Sequence, residues 1–310
     1  MEERAVKSIT TPVAELAYLE DGPRDGVPVI LAHGFPDDAR TWEPVVEQVS
    51  AMPVRLLRPY QRGFGGSSLI SEREAGGAQV AALAQDILDF ADALEISKFI
   101  LVGHDWGARA AFGAAILAPG RIRQLICLAT PYGRGVQDRS WKLRQMEAFW
   151  YQFFFCTDEG ANLLKSRSSE LLRTFWRKWS PGFHLTDAQF DELSQSFDNA
   201  QFADTVIHYY RHRWKAAPGF LHYAMQQEIL DAVPKVEVPT IFVCGEEDGA
   251  NLAPCSRGLD EFFAGPYEYH EVNGVGHFVQ RERPDLVASL IAASVEAKSK
   301  PGFSYKARLK

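Results

Sequence analysis

Phe99-Ile100-Leu101-Val102-Gly103-His104-Asp105-Trp106-Gly107-Ala108-Arg109 is the stretch that decides the fold. An apolar run reads as a buried strand, two glycines bracket a tight turn, and the residues from Ala108 to Leu117 read as a helix. Strand, sharp turn and helix with the spacing Gly-x-x-x-Gly make a nucleophile elbow, with an aspartate where a serine is usual. A serine there points to acyl transfer. An aspartate points to alkyl transfer: the carboxylate attacks an sp³ carbon, and water hydrolyses the resulting ester. A carboxyl with a reference pKa of about 3.9 is already ionised at neutral pH and needs no base to become nucleophilic. Aspartate also serves as a turn or helix-capping residue. The strand before it, the flanking glycines and a distant histidine favour Asp105 as the nucleophile.

Working outward, strand-like and helix-like segments alternate through residues 1–130. Val6 to Ile9 and Ala14 to Leu19 open the chain as strands, followed by Val27 to Ala32 and a weaker run, Arg55 to Arg58. Gln79 to Leu94 carries Val80, Leu83, Ile87, Phe90 and Leu94 at helical spacing, which predicts a helix with Asp86, Asp89 and Asp92 on its outer side. Leu125 to Ala129 reads as the next strand. This alternation predicts an α/β class fold: a mostly parallel central sheet, helices on both faces.

The character changes over residues 131–234. Five of the seven tryptophans (Trp141, Trp150, Trp176, Trp179 and Trp214) fall there, strand-like runs vanish, and Pro181-Gly182 and Pro218-Gly219 punctuate helices. The segment reads as an inserted helical cap over an apolar cavity, with most of its tryptophans packed as ordinary core. The strand pattern returns at Val238 to Cys244 and Tyr267 to Val272, and a helix starting at Pro284 closes the chain's ordered part near Glu296. The expected organisation is therefore core over 1–130, cap over 131–234, core again over 235–297, and a frayed basic tail over 298–310.

Three further segments fall at strand ends, where sites in open parallel sheets lie. His33-Gly34-Phe35-Pro36 follows an early strand; the Phe35 and Trp106 N–H groups would form an oxyanion hole. Gly245-Glu246-Glu247-Asp248-Gly249 supplies three candidate acids, and Gly274-Val275-Gly276-His277 a candidate base. His33 and His104 read as structural neighbours of their turns, and nothing is assigned to His208, His212 or His222.

With those residues in place, the chain resembles the epoxide hydrolases of the α/β-hydrolase fold, from about residue 13 to residue 296. The resemblance implies an Asp105–His277–Asp248 triad, the register choosing Asp248 over Glu246 and Glu247. It also implies two cap tyrosines that donate hydrogen bonds to the epoxide oxygen. One would be Tyr151, in a Tyr-Gln pair, and the other Tyr210, in an aromatic-Tyr-Arg triplet, with Tyr209 as the alternative register. The sequence departs from the family pattern at Tyr60 in Pro59-Tyr60-Gln61-Arg62-Gly63, where relatives often carry aspartate. The implied substrate is a small apolar or aromatic epoxide, with water as co-substrate and neither metal nor organic cofactor. Two other functions remain on the same scaffold. A dehalogenase would share Asp105 and His277 and use the Trp106 indole to hold halide; a ligand receptor would use the fold without its chemistry.

Composition narrows the rest. A net charge of −7 gives no reason to expect nucleic acid or an anionic membrane as partner. No apolar run approaches the roughly 18 residues of a membrane span. Met1-Glu2-Glu3-Arg4 lacks the apolar stretch of a secretory leader, and the four cysteines have no metal-ligand spacing, so a disulfide-free cytoplasmic protein is expected. A homodimer is compatible with all of this.

Overall fold

The computed structural model describes residues 5–70, 77–133, 139–166 and 169–296. Nine strands form one sheet: β1 (Lys7–Thr10), β2 (Ala14–Asp21), β3 (Val27–Ala32), β4 (Val54–Pro59), β5 (Ser68–Leu69), β6 (Phe99–His104), β7 (Ile122–Leu128), β8 (Thr240–Gly245) and β9 (Tyr267–Val272). Their order is β1-β2-β4-β3-β6-β7-β8-β9, with β5 paired to β2. Pairings from β4 through β3, β6, β7 and β8 to β9 are parallel; β2 runs antiparallel to β1, β4 and β5.

The central parallel strands β3, β6 and β8 are mostly apolar because both of their faces are covered. Ile30, Leu57, Leu101 and Leu125 enter one core, and Val29, Leu31, Leu56, Ile100 and Val102 enter the other. The second core is closed by α1 (Glu43–Val49) and, at the chain's end, by Val287, Leu290 and Ile291. The first core is covered by α2 (Val80–Ala93) and α3 (Trp106–Leu117). Between β7 and β8 the described elements are helical: α4 (Arg139–Ala148), α5 (Trp150–Phe154), α6 (Asp158–Lys165), α7 (Ser169–Trp179), α8 (Asp187–Ser194), α9 (Phe202–Arg213) and α10 (Ala224–Asp231), with short 3-10 turns among them. After β9 come α11 (Val279–Glu282) and α12 (Pro284–Glu296).

Two expectations are corrected. Asp86 does not lie on the outer side of α2: it is buried, and both of its carboxylate oxygens accept from the buried Arg62 guanidinium at 2.6 Å. Arg62 also donates to the Gly77 carbonyl and, at 3.2 Å, to the hydroxyl of Tyr223 just before α10. A buried arginine requires a counter-charge, and that requirement outweighs the helix's amphipathic pattern. Of the five tryptophans between β7 and β8, only Trp176 and Trp179 are buried; Trp141 and Trp214 are half-buried and Trp150 is exposed. The predicted tail lies outside the described residues.

α3 is built of small residues so that it can press against the sheet. A Cβ on Gly107 would collide with the backbone carbonyls of Ala32 and His33, and one on Gly34 would stand 2.5 Å from the Asp105 Cβ. Gly107→Ala forces the helix away from β3. It is expected to cost roughly 3 kcal/mol, read as a lowered urea midpoint at unchanged slope.

Candidate active site

The elbow holds Asp105 at φ 52° and ψ −114°, a conformation strained for any residue with a side chain. Neighbouring elements enforce it: the Asp105 N–H donates to the Leu128 carbonyl at 3.3 Å, and its carbonyl accepts from Ala108 and Arg109 at 3.0 and 3.1 Å. The carboxylate therefore points off the end of β6. The Phe35 N–H donates to Asp105 Oδ1 at 3.1 Å, and the Trp106 N–H helps lower the carboxyl's pKa. Both donors of the predicted oxyanion hole thus act on the same carboxyl. Oδ2 faces the Thr130 hydroxyl at 3.4 Å and His277 Nε2 at 3.6 Å.

His277 and Asp248 converge from the loops after β9 and β8. His277 Nδ1 donates to Asp248 Oδ2 at 2.8 Å, while Asp248 Oδ1 accepts from the N–H groups of Ala250 and Asn251 at 2.7 and 2.8 Å. Asp248 is buried, whereas Glu246 and Glu247 are exposed, so the structure brings only the aspartate to the imidazole. Burial alone would lower the His277 pKa. The Asp248 charge and the nearby Asp105 carboxylate overcome it and raise the imidazole to about 10. Burial alone would raise Asp105; the charged imidazole beside it and the Trp106 N–H hold it below the ordinary carboxylate range.

The cap tyrosines lie above. Tyr151 on α5 and Tyr210 on α9 are buried with ring centroids 5.4 Å apart at 86°, and the Asp105 charge acts on both. Burial, together with that charge, raises both phenols above their usual value. Gln152 Nε2 donates to the Tyr151 oxygen at 3.0 Å, which leaves the Tyr151 proton to be donated elsewhere. The Tyr210 ring meets the Trp106 ring edge to face, with centroids 5.4 Å apart. Tyr209 stacks on Trp106 at 4.4 Å and gives its proton to Gln61 Oε1 at 2.9 Å. Of the two neighbours it is Tyr210 that shares the chamber with Tyr151.

His33 and His104 are scaffolding. His33 Nε2 accepts from the Gln61 N–H at 2.9 Å, and His104 Nε2 is bonded to the His277 carbonyl at 3.0 Å. Burial and the His277 charge depress His104 to about 3, which keeps it neutral. The cap is hydrogen-bonded directly to the catalytic loops: the Trp179 carbonyl at the end of α7 accepts from the N–H groups of His277 at 2.9 Å and Gly249 at 3.2 Å. Ser180 Oγ adds a 2.6 Å bond to Glu282.

Sequence reading missed several neighbours. Thr130 accepts from the Asn251 amide at 3.2 Å and faces Asp105; its position directly after a strand was the available signal. Gln152 links Tyr151 to the Trp214 indole at 3.0 Å, and being next to a candidate tyrosine was its signal. Arg109 and Arg213 carried none beyond charge. Among the described residues no cluster of three His, Cys, Asp or Glu side chains is placed to hold a metal, no helix is long and apolar enough to cross a membrane, and all four cysteines are free thiols.

Comparison with known proteins agrees with this fold. Residues 29–290 match the model of the alpha/beta hydrolase family. Epoxide hydrolase A of Mycobacterium tuberculosis is 24% identical, the match covering 91% of this chain and 94% of that protein. An epoxide hydrolase of Caballeronia sordidicola is 26% identical over 88% of each. A Klebsiella pneumoniae crystal structure, provisionally described as an epoxide hydrolase, superposes with a TM-score of 0.87 at 31% identity, covering 94% of this chain and 97% of that one.

Proposed function

The chain belongs to the alpha/beta hydrolase family, among the epoxide hydrolases of that fold, and on that premise we propose that it converts an epoxide to a vicinal diol through an ester on Asp105. The observation that carries the reading is the buried pair Tyr151 and Tyr210, set edge to face at 5.4 Å, with the Tyr151 oxygen occupied as an acceptor and its proton left to donate. An epoxide's leaving oxygen stays attached to the substrate and departs as a strongly basic alkoxide. It needs a proton at the moment the ring opens.

Asp105 Oδ1 is held by the Phe35 N–H, so Oδ2 is the attacking atom. It forms a bond to a ring carbon as that carbon's bond to the epoxide oxygen breaks. One tyrosine transfers its proton to the alkoxide and the other shares the charge by hydrogen bonding. Phenols with raised pKa values keep their protons until a stronger base, the alkoxide, presents itself. Esterification removes the Asp105 charge and so withdraws one of the two anions that keep His277 protonated. The imidazolium passes its proton through solvent to the tyrosinate, which restores the phenol; the neutral Nε2 then takes a proton from water, and the hydroxide adds to Asp105 Cγ. The Phe35 and Trp106 N–H groups bind the oxyanion. When the ester bond breaks, His277 returns the water proton to the departing oxygen, and the carboxylic acid left on Asp105 gives its proton to the imidazole, yielding the diol and restoring the carboxylate–imidazolium pair.

Halide removal from an alkyl halide is the second reading, since it uses Asp105 and His277 in the same way. It would use the Trp106 indole to hold halide, and a departing halide needs no proton, so the paired tyrosines would have no task in it. The test is diol formation from styrene oxide and stilbene oxide, run beside halide release from 1-bromobutane. Tyr151→Phe and Tyr210→Phe should each lower epoxide kcat/KM by about 10²-fold, and the double change by more. Halide release that survives both tyrosine changes, with no diol formed by the parent, would assign the dehalogenase instead.

A further inference from the structure

Beside the nucleophile's neighbour Trp106 lies a cavity of about 170 Å³, lined in part by Tyr209, Arg109, Arg213, Lys215 and Asp231. The apolar cavity expected from the cap's aromatic residues is, at this point, strongly basic. Lys215 is matched by Asp231 at 3.2 Å. The two arginines are not matched. Arg213 Nε is buried without a hydrogen-bond partner, and among the described residues no carboxylate forms an ion pair with either guanidinium. The carboxylate whose charge both feel is the nucleophile, Asp105. Arg62 by contrast is paired with Asp86, and Arg281 with Asp37 at 2.7 Å. An arginine cannot discharge itself by losing its proton under ordinary conditions. Two such cations facing one cavity and repelling each other therefore make it a site for an anion.

We propose that Arg109 and Arg213 form a subsite for a carboxylate on the substrate, so that the preferred epoxide is an epoxy acid whose carboxylate lies a few bonds from the ring. The proposal rests on the epoxide reading above and names its substrate class. Arg109 follows Asp105 by four residues, one turn along α3, and its guanidinium lies over the Trp106 ring at 5.4 Å. Its reach sets the short separation between charge and reacting carbon. Arg213 follows Tyr210 by three residues on α9, so the helix that presents the proton donor also presents the second guanidinium. The planar fork of a guanidinium matches a carboxylate with two parallel bonds, and the Trp106 and Tyr209 rings that line the same cavity suit an aromatic body.

The test compares 3-phenylglycidate with 3-phenylglycidamide, which has the same shape without the charge. The parent protein should favour the acid by tenfold or more in kcat/KM. The acid-to-amide ratio should fall at least tenfold in Arg109→Gln and in Arg213→Gln. Equal handling of acid and amide by the parent, or an unchanged ratio in both variants, overturns the proposal. A binding measurement keeps this separate from the reaction itself. By calorimetry, unreactive 3-phenylpropionate should bind the parent at least tenfold more tightly than 3-phenylpropanamide, and 2-phenylethyl phosphate more weakly than the carboxylate. Carboxylate binding without turnover of any epoxide would leave the subsite standing and remove the proposed function. Equal binding of acid and amide, or tighter binding of the phosphate, would remove the carboxylate subsite.

Discussion

Asp105→Ala should abolish diol formation, lowering kcat by at least about 10⁴-fold while leaving the circular dichroism spectrum unchanged. The size of the loss follows from the proposed route, in which both half-reactions pass through the Asp105 carboxyl, as attacking oxygen in the first and as ester carbonyl in the second. Without it the tyrosines can polarise an epoxide but nothing is positioned to attack it. Trp106 and Phe35 then offer their N–H groups to an empty position. Mass spectrometry provides the check: a reactive epoxide should leave no adduct on the peptide that contains residue 105. Diol formation at more than a thousandth of the parent rate would mean that water is activated directly and no ester is formed.

His277→Gln should separate the two halves of the reaction. Asp105 remains ionised and the tyrosines remain in place, so the ring still opens, but no base activates water against the ester. Turnover should fall by about 10³-fold. One equivalent of epoxide should accumulate on the protein, seen as a mass increase equal to the intact epoxide and located at Asp105. The same residue links stability to pH. Its folded-state pKa of about 10 lies above the reference value of 6.5. The stabilisation it contributes is therefore complete below about pH 6.5 and is lost as pH rises through about 10. Thermal melts of the parent should show that alkaline decline, and melts of His277→Gln should lack it.

The elbow and both partner loops were legible because each is a local device: a strand, a short turn, and a functional side chain within a few residues. Legibility ended where a helix's rotation or a distant partner decides the outcome. Tyr209 and Tyr210 are adjacent, about 100° apart around α9, and only the packing of that helix on Trp106 sends one to Gln61 and the other into the chamber. Asp86 looked like a solvent-facing helix residue because its partner, Arg62, lies in a loop 24 positions earlier. Arg109 and Arg213 are 104 positions apart in the chain and have meaning only as a pair.

The carbonyl of Trp179, shared between the N–H groups of His277 and Gly249, has a consequence for engineering and for descent. A cap grafted from a relative would bring more than a new binding wall. It would replace the residue whose carbonyl holds His277 and the loop of Asp248 in place. Chimeras should therefore lose rate as well as change selectivity unless the graft junction falls before α7 or carries the 176–183 segment over intact. Diversification of specificity in this scaffold is then easiest on helices without this attachment, such as α10 and the positions of α5 and α9 other than Tyr151 and Tyr210.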